Sequence, residues 1–154
     1  MELSARIEPV AGRVRSDVAY TVVDAEFRKG QFVSHTIPGT PRHTLHAGFG
    51  VSPVESFWID LNWELINDFY RINDMANRLP KADNYGVLNV ILRYDVPDRL
   101  ISRGYPAMSA YLKIDNITNE EYVTFQSSNG TNLNGAGEYP MPSTTFVGGV
   151  SVKF

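Results

Sequence analysis

Thr144-Thr145-Phe146-Val147-Gly148-Gly149-Val150-Ser151-Val152-Lys153-Phe154 is the stretch whose reading decides the fold. Phe146, Gly148, Val150, Val152 and Phe154 share one face at two-residue spacing, and Thr145, Val147, Gly149, Ser151 and Lys153 share the other. That alternation specifies a strand with one apolar and one mostly polar face. A soluble sandwich strand ending here would leave Phe154 in water at a fraying terminus. A transmembrane barrel strand instead turns its apolar face to lipid and its other face to the lumen, with an aromatic at the interface.

Working outward, the same period recurs six more times. Ala107–Asn116 sets Met108, Ala110, Leu112 and Ile114 against Ser109, Tyr111, Lys113 and Asp115, and Tyr85–Asp95 alternates likewise. Glu55–Asn67 is the clearest internal segment, with Phe57, Ile59, Leu61, Trp63 and Leu65 opposite Trp58, Asp60, Asn62 and Glu64. His43–Val51, Val14–Phe27 and Glu2–Glu8 complete seven strands, and no helical period competes with them. Their connections run short (Pro9–Arg13), long (Arg28–Arg42), short (Ser52–Val54), long (Asp68–Asn84), medium (Val96–Pro106) and long (Ile117–Ser143). In an antiparallel meander this puts every long loop at one end. The reading predicts an all-β, antiparallel up-and-down transmembrane β-barrel segment, about seven strands of a larger barrel.

Composition narrows the function classes. A net charge of −3, from 14 basic and 17 acidic residues, gives no electrostatic case for nucleic acid. Cysteine is absent, which removes disulfides and thiolate metal sites. No run of about 18 apolar residues offers a transmembrane helix, and Met1–Arg6 carries no secretory signal pattern. A membrane barrel therefore implies a segment cut from a longer precursor. No Ser/His/Asp spacing, phosphate loop or zinc motif points to an enzyme, and no cofactor is implied. Asp60, Asn62 and Glu64 on one face read as a wet lumen wall rather than an acid/base pair. His43 and His46 are three apart on a strand and point to opposite faces, so no metal is expected.

The residues also resemble TonB-dependent outer-membrane receptors of the siderophore type. The carrying motifs, in order, are Asp24-Ala25-Glu26-Phe27, Ile37-Pro38-Gly39-Thr40-Pro41-Arg42-His43, Asn67-Asp68-Phe69-Tyr70, Leu79-Pro80-Lys81-Ala82-Asp83-Asn84-Tyr85 and Val87-Leu88-Asn89. Next come Leu112-Lys113-Ile114-Asp115-Asn116-Ile117-Thr118-Asn119-Glu120-Glu121-Tyr122, Tyr139-Pro140-Met141-Pro142 and Thr145-Phe146-Val147-Gly148-Gly149-Val150. Ser143 departs from the Gly common before the last strand. The resemblance covers essentially the whole chain. It implies that residues 1–154 are the C-terminal portion of the barrel, without signal peptide, TonB box or plug. It further implies a bacterial outer-membrane location and active import of a ferric siderophore or similar nutrient. The implied partners are the plug and remaining strands, the TonB complex through the absent plug, outer-membrane lipid and a small-molecule metal chelate. It marks Phe146, Val150, Val152 and Phe154 as the outer-membrane assembly signal.

Ligand-binding candidates are the aromatics and cation at the expected outer rim: Phe69, Tyr70, Arg71, Tyr122 and Phe125. Arg with flanking rings suits an anionic ferric chelate. The same rings also suit an interface girdle. The rival reading is a soluble all-β binding module that uses its long loops for recognition and buries the apolar stripe in a core.

Overall fold

The computed structural model describes residues 1–97, 107–129 and 137–153. Phe154, residues 98–106 of the medium connection and residues 130–136 of the expected Gly/Asn-rich loop tip lie outside the described residues.

Seven strands form one antiparallel sheet: β1 (Glu2–Val10), β2 (Val14–Val22), β3 (His43–Val54), β4 (Phe57–Ile66), β5 (Tyr85–Asp95), β6 (Ala107–Asp115) and β9 (Thr145–Lys153). Their spatial order is their sequence order, β1-β2-β3-β4-β5-β6-β9, and no helix occurs among the described residues. β7 (Val123–Gln126) and β8 (Glu138–Pro140) make a separate hairpin between β6 and β9. The sheet is the all-β, seven-strand meander that the alternation predicts. It is not closed: β1 and β9 are its two edges.

Register partners lie on the same face of a sheet. One row across the sheet reads Arg15, Gly50, Asp60 and Ile91, continuing through Lys113 to Val147. The adjacent row on the same face reads Asp17, Gly48, Asn62 and Asn89. The opposite face carries Val18, Ala47, Trp63 and Leu88 in one row, and Leu92, Leu112 and Gly148 in another. Among the described residues no second layer covers that apolar face. Phe146 is 68 % exposed, Val150 72 % and Trp63 48 %. Buried apolar side chains are few, and Phe69 and Ala82 among them belong to a loop rather than to the sheet. A soluble core made by this stripe is thus absent from the described residues.

The elements differ from expectation in several places; β1 runs to Val10 rather than Glu8, and β4 spans Phe57–Ile66 rather than Glu55–Asn67. β2 stops at Val22 rather than Phe27, because the next residues pair within their own loop: Phe27 N donates to His35 O at 3.0 Å and Ile37 N to Ala25 O at 2.9 Å. β3 runs on to Val54 through an irregularity after Val51, so the turn falls at 55–56, with Ser56 at φ 68°. The segment 117–143, read as loop throughout, contains the β7–β8 hairpin. Only short runs, Val123–Gln126 and Glu138–Pro140, pair there, which left no periodic signal.

Candidate functional site

Antiparallel order places three long connections at one end of the sheet: L1 (23–42), L2 (67–84) and L3 (116–144). The tight turns 11–13 and 55–56 lie at the other.

L3 is anchored by Asn116, which is 2 % exposed and sits at φ 53°, a left-handed position that Asn tolerates. Its amide accepts from Glu120 N at 2.8 Å and donates to Glu120 O at 2.8 Å and Pro142 O at 3.3 Å. Its backbone N donates to Asn89 Oδ1 at 2.8 Å, and its carbonyl accepts from Thr144 Oγ1 at 2.7 Å. One side chain thus ties both limbs of L3 to the strand ends. This is the self-capping expected of the Asp115–Asn119 run.

L2 turns about Asp74, whose side chain is fully buried. Its carboxylate accepts from Arg78 N at 3.1 Å and Leu79 N at 3.0 Å. Asn73 and Asn77 take left-handed backbone at φ 75° and 52°. At the base of L2, Asp68 accepts from the Asn67 amide and pairs with Lys81 Nζ at 3.0 Å. Those contacts, the Asn67 bond foremost, hold the Asp68 carboxyl below its ordinary value. Lys81 Nζ also lies 5.1 Å from the centroid of the Tyr70 ring, a cation–π contact.

The five candidate ligand residues do not form a single open patch. Phe69 is buried, bridged to Ala82. Arg71, with its side chain only 12 % exposed, donates through Nη1 to Glu138 Oε1 of β8 at 2.8 Å. Its Nε is buried without a hydrogen-bond partner among the described residues. Tyr122 packs its ring on Tyr85 at 4.8 Å, and burial, with Glu64 adding, pushes its phenol up, so it stays a neutral donor at physiological pH. Phe125 meets Tyr139 edge-on at 5.2 Å on the hairpin. The structure therefore brings Arg71 to the hairpin that carries Phe125, while Phe69 is part of the loop packing. Glu138 and Tyr139 are the site neighbours that sequence reading missed; no local pattern links them to residues 67 and 14 positions away.

The polar face forms a recess of about 520 Å³ toward the tight-turn end, lined by Arg6, Arg15, Asp17, Trp58, Asp60 and Arg93 among others. Asp60 is 8 % exposed. Arg15 Nη2 donates to Asp60 Oδ1 at 2.7 Å and its Nε to the same oxygen at 3.2 Å. The guanidinium also stands 4.6 Å over the Trp58 ring. Arg93 Nη2 lies 3.8 Å from Asp60 Oδ2, which has no hydrogen-bond partner among the described residues. Arg15 and Asp60 are on strands flanking β3, and they meet because Gly50 lies between them. His46 and Glu64 approach to 3.9 Å on the same face, while His43 is held by Tyr20 Oη at 2.7 Å from its Nδ1 on the other. The two histidines do point apart, and no cluster of metal-ligating side chains occurs among the described residues.

No protein-family model matches the chain, and no curated protein matches it by sequence. Solved structures do. The ferric citrate transporter FecA in its unliganded form superposes with a TM-score of 0.78 at 21 % identity, covering 99 % of this chain and 23 % of its own. The ferric yersiniabactin uptake receptor FyuA from Yersinia pestis superposes at 0.71 with 18 % identity, covering 97 % of this chain and 22 % of its own. The chain thus spans less than a quarter of the length of the receptors it matches. It shares the fold of a section of these two proteins, and that fold agrees with the resemblance its motifs carry. Both neighbours are transport proteins rather than enzymes.

Proposed function

We propose that residues 1–154 are the C-terminal portion of the barrel of a TonB-dependent outer-membrane receptor. The receptor imports a ferric siderophore or a similarly scarce metal chelate. The observation that carries this reading is the two-faced sheet: an uncovered apolar face opposite a face bearing Arg15, Asp17, Asp60, Asn62 and Lys113. Such a sheet is stable where one side meets hydrocarbon and the other meets a hydrated lumen.

On this reading β1–β6 and β9 are wall, L1–L3 face the cell exterior, and both open edges pair with the remaining strands. The charged recess around Asp60 faces the plug, through which the TonB complex acts. Nothing in the chain's role is catalytic. Among the candidates, Tyr70, Arg71, Tyr122 and Phe125 stay as ligand contacts. Phe69 is instead buried within L2, bridged to Ala82, and holds the loop.

The test is radio-iron uptake by cells that carry or lack the full-length receptor, with ferric citrate and ferric hydroxamate as probes. Uptake of either chelate that requires both the receptor and an energised inner membrane is the expected result. Receptor-independent uptake of every ferric chelate offered sinks the import reading.

A further inference from the structure

Among the described residues, the hydrogen bonds that stitch the three long loops to each other pass through one short segment of L2, residues 70–77. On the L1 side, Gly39 N donates to Tyr70 O at 2.7 Å. Asn77 clips Thr36 from both directions, accepting from its N at 2.7 Å and donating to its O at 3.0 Å. Ile72 packs so close to Gly39 that a Cβ there would stand 3.0 Å from its Cγ1. On the L3 side, Ile72 forms a parallel bridge with Ser127. Ile72 N donates to Gln126 O at 2.9 Å, and Ser128 N donates to Ile72 O at 2.8 Å. Arg71 adds its ion pair to Glu138.

These contacts join residues 31 to 67 positions apart in the chain, so they are tertiary and not features of single turns. The joining segment is itself rigidly built, because its turn is organised on the fully buried Asp74 carboxylate.

We propose that L1, L2 and L3 are one body keyed on Asp74, so that any displacement of L2 is shared by both neighbouring loops. Three loops that were separate flaps would open independently, each with its own local free energy. Here the opening of L2 removes donors and acceptors from L1 and L3 together, and leaves backbone groups in both unsatisfied. A ligand that engages Arg71 would then move or clamp the whole rim over these strands. The inference does not depend on which ligand is carried, nor on there being one.

Hydrogen exchange read by mass spectrometry on the full-length protein in detergent micelles tests it. Three amides report, one per loop: Gly39, Ile72 and Ser128. Replacement D74A removes the acceptors for Arg78 and Leu79 but touches neither Gly39 nor Ser128. The expected result is faster exchange in all three reporters, on the order of tenfold. Faster exchange confined to L2, with Gly39 and Ser128 unchanged, overturns the proposal. Should D74A fail to insert, N77G decides the matter. Glycine keeps the left-handed backbone at φ 52° and removes the side-chain clip to Thr36 and the side-chain bond to Asp74 O, and the proposal requires that Ser128 on the far side also exchange faster. Loss of protection confined to L1 and to residue 77 itself overturns it.

Discussion

At Gly50 the missing side chain is what lets a charge pair bridge two strands. A Cβ there would stand 2.4 Å from Asp60 Oδ1 and 2.7 Å from Arg15 Nε, so Gly50→Ala must push apart a pair that is packed as well as bonded. At Gly48 the obstruction is the Asp17 carboxylate, 2.6 Å away, the end of an exposed side chain that can swing aside. Gly50→Ala is therefore expected to destabilise by about 1–3 kcal/mol and Gly48→Ala by well under 1 kcal/mol. Urea unfolding from lipid vesicles would read the difference, and equal costs would contradict this account of Gly50. Asp68 gives a pH prediction. Its folded carboxyl lies below its ordinary value, so its contribution to L2 is complete above the ordinary carboxyl pKa. The contribution is lost as pH falls further, through the folded pKa. Exchange of the Phe69 and Ala82 amides should quicken only in that acid window, and Asp68→Asn should abolish the pH step. A step centred near neutrality would exclude Asp68 as its source.

The third loop depends on one anchor. Asn116 ends β6, turns the chain through a left-handed backbone, and bonds both limbs of L3. Asn116→Gly keeps the permissive backbone but removes the amide, whereas Asn116→Ala loses both. Limited proteolysis should cut within 117–143 faster in either variant, more so in the alanine form. The cost is about 1–3 kcal/mol for leaving buried backbone groups unpaired. If Asn116→Gly resists proteolysis as well as the parent, the backbone conformation and not the side chain holds the loop. The same element shows how far sequence reading reaches. The Asp115-Asn116-Ile117-Thr118-Asn119 run announces a strand end with self-capping, because Asn and Asp bond their own local backbone. The β7–β8 hairpin gives no such notice. Its strands are too short to show a period, and its paired residues Gln126 and Glu138 are both held by L2, Gln126 O by Ile72 N and Glu138 by Arg71.

Over the whole sheet, the two faces ask for different solvents. Leu61 and Asn62 are sequence neighbours on opposite faces, Leu61 in register with Phe49 and Val90, Asn62 with Gly48 and Asn89. Arginine at the first should cost about 2–4 kcal/mol against a bilayer, while arginine at the second is accommodated in a wet lumen. Folding yields of Leu61→Arg and Asn62→Arg in lipid vesicles would compare them directly. A soluble sandwich with the same strands would instead lose its core at Leu61 in plain buffer, and would fold there when unmodified. What the sequence by itself determined is the seven strands of the main sheet, the assignment of their residues to a face, and the end at which the long loops gather. All three follow from a two-residue period and from connection lengths, which are local properties of the chain. The tertiary structure alone decided that Arg15 reaches Asp60 across Gly50, that Phe69 is buried, and that Arg71 is claimed by Glu138. Those pairings join positions 45 and 67 apart through register and loop docking, and no periodic pattern encodes a contact between segments that meet only once the sheet has formed.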